Sequence, residues 1–145
     1  GVYIFDRGSF SMSGSMTVNA TGGVTLIFTS STGSGIGGVG TSGSQNFNIK
    51  APSTGPTAGM AIWIDKRATG SSFSVSGSSV WNVTGAIYVP NTALSWSGSG
   101  TSPCTQLVAR TIAISGSGQL THECAGVGVS DPPGSTGSTL ARLVE

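Results

Sequence analysis

The side chains able to do chemistry are few: Asp6, Asp65, Glu123, Asp131, Glu145 and a single histidine, His122, among 145 residues. Asp6-Arg7 and Asp65-Lys66-Arg67 each follow a short apolar run, Val2–Phe5 and Ala61–Ile64. Two carboxylates brought to one edge of a sheet can in principle share acid and base work on a glycosidic bond. The equivalent run between them ends in Thr29-Ser30 and carries no acid, so solvated turns with local ion pairs are expected there. His122-Glu123 offers a base and an acid among 25 serines, but no G-x-S-x-G sits between a strand and a helix as a nucleophile elbow requires. Gly33-Ser34-Gly35-Ile36-Gly37-Gly38 fits G-x-G-x-x-G, yet no helix follows to hold a phosphate. Cys104, Cys124 and His122 lack a fourth ligand at metal-site spacing. The expectation is a protein that is not an enzyme, with no catalytic residues, no metal and no cofactor.

Composition narrows the class further. Gly, Ser and Thr supply 66 of the residues and only 11 carry formal charge, leaving a net charge of +1. The longest basic cluster is Lys66-Arg67, so no electrostatic footprint for nucleic acid exists. No apolar run approaches the ~20 residues that span a bilayer, and membrane attachment is expected only through a segment of a longer parent. A Gly/Ser-rich chain can be a linker, but here β-branched and aromatic residues recur in short alternating runs, which implies a folded β-protein.

Those runs repeat, and repeats take precedence in reading a fold. Phe10-Ser11-Met12-Ser13-Gly14-Ser15 with Asn19-Ala20-Thr21-Gly22 returns as Phe73-Ser74-Val75-Ser76-Gly77-Ser78 with Asn82-Val83-Thr84-Gly85, 8 of 13 positions being identical at an offset of 63. The formal sequons at Asn19 and Asn82 fall inside this repeat, which explains them without glycans. Related runs lie at Asn46–Lys50, Leu94–Gly98 and Ile112–Gly116, and a second series comprises Val2–Phe5, Val24–Phe28, Ala61–Ile64, Ala86–Val89 and Leu107–Ala109. Apolar residues at i and i+2 denote strands. Five of each predicts an all-β, single-domain parallel β-helix (solenoid) of about five coils over residues 1–125, with loop insertions at 30–44 and 52–59 and a C-terminal tail, 126–145, packing on or capping it.

Alternation assigns the faces. Phe10/Met12, Phe47/Ile49, Phe73/Val75, Leu94/Trp96 and Ile112/Ile114 are expected inward, leaving a hydroxyl face of Ser11, Ser13, Ser74, Ser76, Ser95 and Ser97 interrupted by Asn48 and Lys50. In the second series Ile4, Leu26, Ile62/Ile64, Ile87/Val89 and Leu107 are expected inward. Outside lies an apolar stripe of Tyr3, Thr25 or Ile27, Trp63, Tyr88 and Val108. An apolar outer stripe marks an interaction surface, whose occupant can be the segment Thr139–Glu145, another domain or another copy. Cys104 and Cys124, 20 residues apart, fall at matching ends of consecutive coils, about 5 Å apart, where a disulfide fits. A disulfide indicates the periplasm, cell surface or medium.

Gly1-Val2-Tyr3-Ile4 leading to an SxSG run, Thr84-Gly85-Ala86-Ile87-Tyr88-Val89-Pro90, Cys104-Thr105-Gln106-Leu107-Val108-Ala109 and the terminal Val144-Glu145 together resemble the C-terminal domain of TadG-like tight-adherence (Flp) pilus-assembly proteins. The resemblance implies an extracytoplasmic cell-envelope protein of pilus assembly or cell adhesion, anchored through a segment absent here, with other envelope or pilus proteins or copies of itself as partners. A glycan- or surface-binding solenoid, or the subunit of an end-to-end extracellular filament, is the alternative.

Overall fold

The computed structural model describes residues 1–102, 104–121 and 123–129, in which strands and turns occur and no helix. Among the described residues twelve strands follow one another: β1 (Val2–Asp6), β2 (Phe10–Gly14), β3 (Thr17–Ala20), β4 (Thr25–Thr29), β5 (Val39–Gly43), β6 (Asn46–Lys50), β7 (Met60–Ile64), β8 (Ser72–Val75), β9 (Val80–Gly98), β10 (Thr101–Ser102), β11 (Thr105–Gly116) and β12 (Gln119–Leu120). Pairings between the described strands are all parallel.

The architecture corrects the expected five-coil β-helix. One ten-stranded sheet runs β1-β4-β7-β9-β8-β5-β2, a half-barrel of seven strands, with β11 beside β9 and β3-β6 joining through β9; β10 and β12 form a separate pair. Strand β9 is the reason. Its three runs, which read as separate in sequence, are one 19-residue strand that pairs β6 through Val80–Thr84, β7 through Ala86–Tyr88 and β8 through Ala93–Trp96. Gly85, at φ 128°, turns the strand between the first two partners without ending it. A Cβ at that position would stand 2.5 Å from the Cβ of Ala51. The second bend, Pro90-Asn91-Thr92, lies opposite Arg110 alone in β11, a bulge between the Val89–Ala109 and Ala93–Thr111 pairs that increases local curvature.

Two further expectations change. Residues 30–44 are not wholly an insertion: Val39–Gly43 is a strand, paired with β2 and β8. Phe47 and Ile49 do point inward, both at most 2% exposed, but their strand belongs with β3 and the start of β9, not with Phe10 and Phe73. The 63-residue repeat therefore spans two ladder steps, Phe10 to Val39 to Phe73 and Asn19 to Asn48 to Asn82.

The concave side holds the core, built from β-branched and aromatic side chains that each contribute roughly 1.5–3 kcal/mol on burial. Phe28, Ile62, Ile64, Trp81, Ile87 and Val89 are fully buried. An aromatic file crosses it: Phe28 stacks on Phe5 at 4.6 Å, Phe5 meets Phe10 at 6.2 Å, Phe10 meets Phe47 at 5.9 Å, and Phe47 stacks on Trp81 at 4.2 Å. The tail predicted over 126–145 lies outside the described residues beyond position 129.

Candidate interaction surface

Strands β1, β4, β7, β9 and β11 place one outward side chain each in a continuous ladder: Ile4, Ile27, Trp63, Tyr88 and Val108. Neighbouring strands lie about 4.8 Å apart, so the five form a file across the convex face. Its ends, Ile4 and Val108, are exposed, and Ile27, Trp63 and Tyr88 are half-buried. Four of the five predicted stripe residues stand together here. Tyr3 does not: it pairs with Leu26 and belongs to the inward column, while Ile4, expected inward, is 65% exposed. Ile-Phe recurs at positions 4–5 and 27–28, and aligning those dipeptides places β1 in its true phase. Thr25, the alternative to Ile27, is fully buried and donates to the carbonyl of Met60 at 2.7 Å.

The predicted hydroxyl face is partly assembled. Ser11, Gly40, Ser74, Ser95 and Ala113 form one column, so the file of hydroxyls is broken in the middle by a glycine and at the end by an alanine. A shallow depression of about 410 Å³ lies over Gly40 between Ser11, Ser13, Ser42, Ser74 and Ser76. Ser76 and Ser97 bond back to the carbonyls of Thr41 and Val75, at 2.9 and 3.3 Å. Those hydroxyls serve the sheet more than a ligand.

An asparagine file went unrecognised. Asn19, Asn48 and Asn82 are in register, with the Asn82 amide donating to Asn48 Oδ1 at 2.6 Å and the Asn48 amide to Asn46 Oδ1 at 3.1 Å. The signal was present as three apolar-Asn-apolar triplets, Val18–Ala20, Phe47–Ile49 and Trp81–Val83.

The acidic edge is a hydrogen-bonded lock. Asp6 pairs with Thr29, whose hydroxyl donates to Asp65 Oδ2 at 3.0 Å. Arg67 donates to Asp65 from its backbone N–H, Nε and Nη2, the last at 2.7 Å, and from Nη2 also to the carbonyl of Ser30. The Arg67 guanidinium and backbone N–H hold the Asp65 carboxyl far below the usual carboxylate range. Asp6 is lowered too, by the backbone N–H and hydroxyl of Ser31. Both carboxyls are arranged to stay ionised and accept hydrogen bonds, whereas proton donation near neutrality needs a raised pKa. Among the described residues no three His, Cys, Asp or Glu side chains gather as a metal site; His122 lies outside the described residues.

Cys104 and Cys124 are disulfide-bonded with Cα atoms 4.7 Å apart, buried beside Val127. Among the described residues no helix is long and apolar enough to cross a membrane. Against known proteins, no family model, curated protein or solved structure matches the chain.

Proposed function

We propose that the chain is a non-enzymatic, extracytoplasmic structural or adhesive module of a bacterial cell-envelope or pilus-assembly protein, acting through protein–protein docking. The ladder Ile4–Ile27–Trp63–Tyr88–Val108 carries this reading. A regular apolar file on the solvent side of a sheet, where alternation normally puts polar residues, suits a partner better than water. The disulfide supports an oxidising compartment. The resemblance to TadG-like C-terminal domains supports the envelope setting, and the two locked carboxylates give no support to hydrolysis.

The test is a Trp63→Ser/Tyr88→Ser double variant, assayed for binding of the purified chain to envelope fractions carrying pilus-assembly proteins. Aromatic anchors at an interface contribute about 2 kcal/mol or more, so affinity should fall roughly 30-fold. Undiminished binding by a variant of wild-type stability rejects the reading. Trp63 and Tyr88 are also adjacent in register, which favours one second reading, stacking on sugar rings; glycan-array signal lost in the same variant would support it.

A further inference from the structure

The sheet ends on two unlike edges. At one end β1 and β2 are the last strands of their limbs; at the other β11 alone closes both limbs, pairing only with β9 among the described strands. Because the pairings are parallel throughout, translation along the ladder keeps every strand direction. The edge β11 presents is therefore the edge that a strand running like β1 or β2 takes up.

Side chains match as well. The inward columns run Tyr3–Leu26–Ile62–Ile87–Leu107, Phe10–Val39–Phe73–Leu94–Ile112 and Met12–Thr41–Val75–Trp96–Ile114. Their middle members are buried, as is Met12 at the β2 edge, whereas Tyr3 is 59% exposed at that same end and Ile112 and Ile114 are 48% and 51% exposed at the other. The inward expectation for Ile112 and Ile114 thus fails for burial in the single chain, though not for column. At the β1 end an apolar cleft of about 470 Å³ opens between Tyr3, Phe5, Phe10, Val18 and Phe47. Charge also complements: exposed Asp6 follows Phe5 at one corner, and exposed Arg110 follows Ala109 at the corresponding corner.

We propose that the chain binds a second copy of itself head to tail, with β1 and β2 of one copy adding in parallel to the two halves of β11 of the other. Tyr3 then covers Leu107, Phe10 covers Ile112, Met12 covers Ile114, and Asp6 faces Arg110. Thr105 already donates its backbone N–H to Thr121, and beyond it edge addition gains backbone hydrogen bonds along both limbs. A heterologous contact of this kind does not close, so it extends into a filament. The inference gives the docking reading a partner but uses the edges, not the Trp63–Tyr88 ladder, so each can fail without the other.

Light scattering after size exclusion, on the full 145-residue chain over a concentration series, reads the outcome. Wild type should grow beyond two chains as concentration rises. Tyr3→Lys and Ile112→Lys, one at each edge, should each remain monomeric; mixed, they should form two-chain species and nothing larger, because one intact edge of each kind remains. Arg110→Asp, at an exposed corner, should lose the larger species at low salt while its unfolding transition matches wild type. A monomeric wild type at every concentration overturns the proposal, as does self-dimerisation of either Lys variant alone, which would indicate a head-to-head contact. A monomer in which the outward β11 amides, those beyond Thr105 that do not donate to β9, are protected from exchange would show the edge already occupied within one chain, and also overturns it.

Discussion

Asp65 shows at the level of one residue why the most chemically suggestive feature of the chain is structural. It is 8% exposed and accepts from Thr29 and Arg67, tying β4 to the turn after β7. Replacing a buried charged acceptor leaves its donors unsatisfied, at about 1–3 kcal/mol, so Asp65→Asn should lower stability at neutral pH by that order. The pH dependence has a defined sign. The folded pKa lies below the ordinary 3.8, so the stabilisation is complete above about pH 4 and is lost as the pH falls towards the folded value. Denaturant curves at neutral pH and near pH 3 should show the gap between wild type and Asp65→Asn narrowing in acid. A gap independent of pH would mean that the carboxylate's charge contributes nothing. The sequence already allowed this lock, since Thr29 is the residue that stands between the two acids.

Elements were legible in proportion to their apolar content. Runs such as Ala61–Ile64 and Ala86–Val89 advertise themselves by alternation, and both are strand. Strand β5 does not, because its inward positions are Val39 and Thr41, and Thr41 is 4% exposed despite its hydroxyl. Glycines around it read as loop, yet they admit close backbone contact: a Cβ on Gly38 would stand 2.0 Å from the carbonyl oxygen of Ser72. The continuity of β9 was hidden for a related reason, since Gly85 and Pro90 normally punctuate strands. Both instead bend one that carries on, and this turned a set of expected coils into a bent sheet. Gly85→Ala tests the point. The substitution places an L-residue at φ 128°, against Ala51 and the Gly59 carbonyl. Backbone strain and overpacking cost about 1–3 kcal/mol each, so a loss of roughly 2–4 kcal/mol is expected, with amide exchange accelerated in Val80–Val89 first. A variant as stable as wild type would mean that the bend does not depend on this glycine.

Across the whole molecule, the two edges are held differently. At the β1 end the aromatic file of Phe5, Phe10 and Phe47 ties the limbs together through packing. At the β11 end packing thins out, with the inward-column residues Ile112 and Ile114 both exposed, and a covalent link takes over. The Cys104–Cys124 bond encloses β11 and β12, while Thr105 donates its backbone N–H to Thr121 within the same enclosure. Closing a loop of this length removes unfolded-state entropy equivalent to about 3 kcal/mol, a large share of the ~5–15 kcal/mol that separates folded from unfolded chains of ordinary domains. Cys104→Ser/Cys124→Ser should therefore shift the unfolding midpoint well below wild type, and reductant should move wild type towards the variant. If loosening starts at the weak edge, amide exchange should rise in Thr105–Gly116 before it rises in Ile62–Ile64. Identical curves with and without reductant would show that the apolar core alone sustains the sheet, and the inference from disulfide to an oxidising compartment would then lose its energetic basis. A selective loss at β11 would have the opposite meaning: the edge offered for assembly is one that the fold must clamp before anything can dock on it.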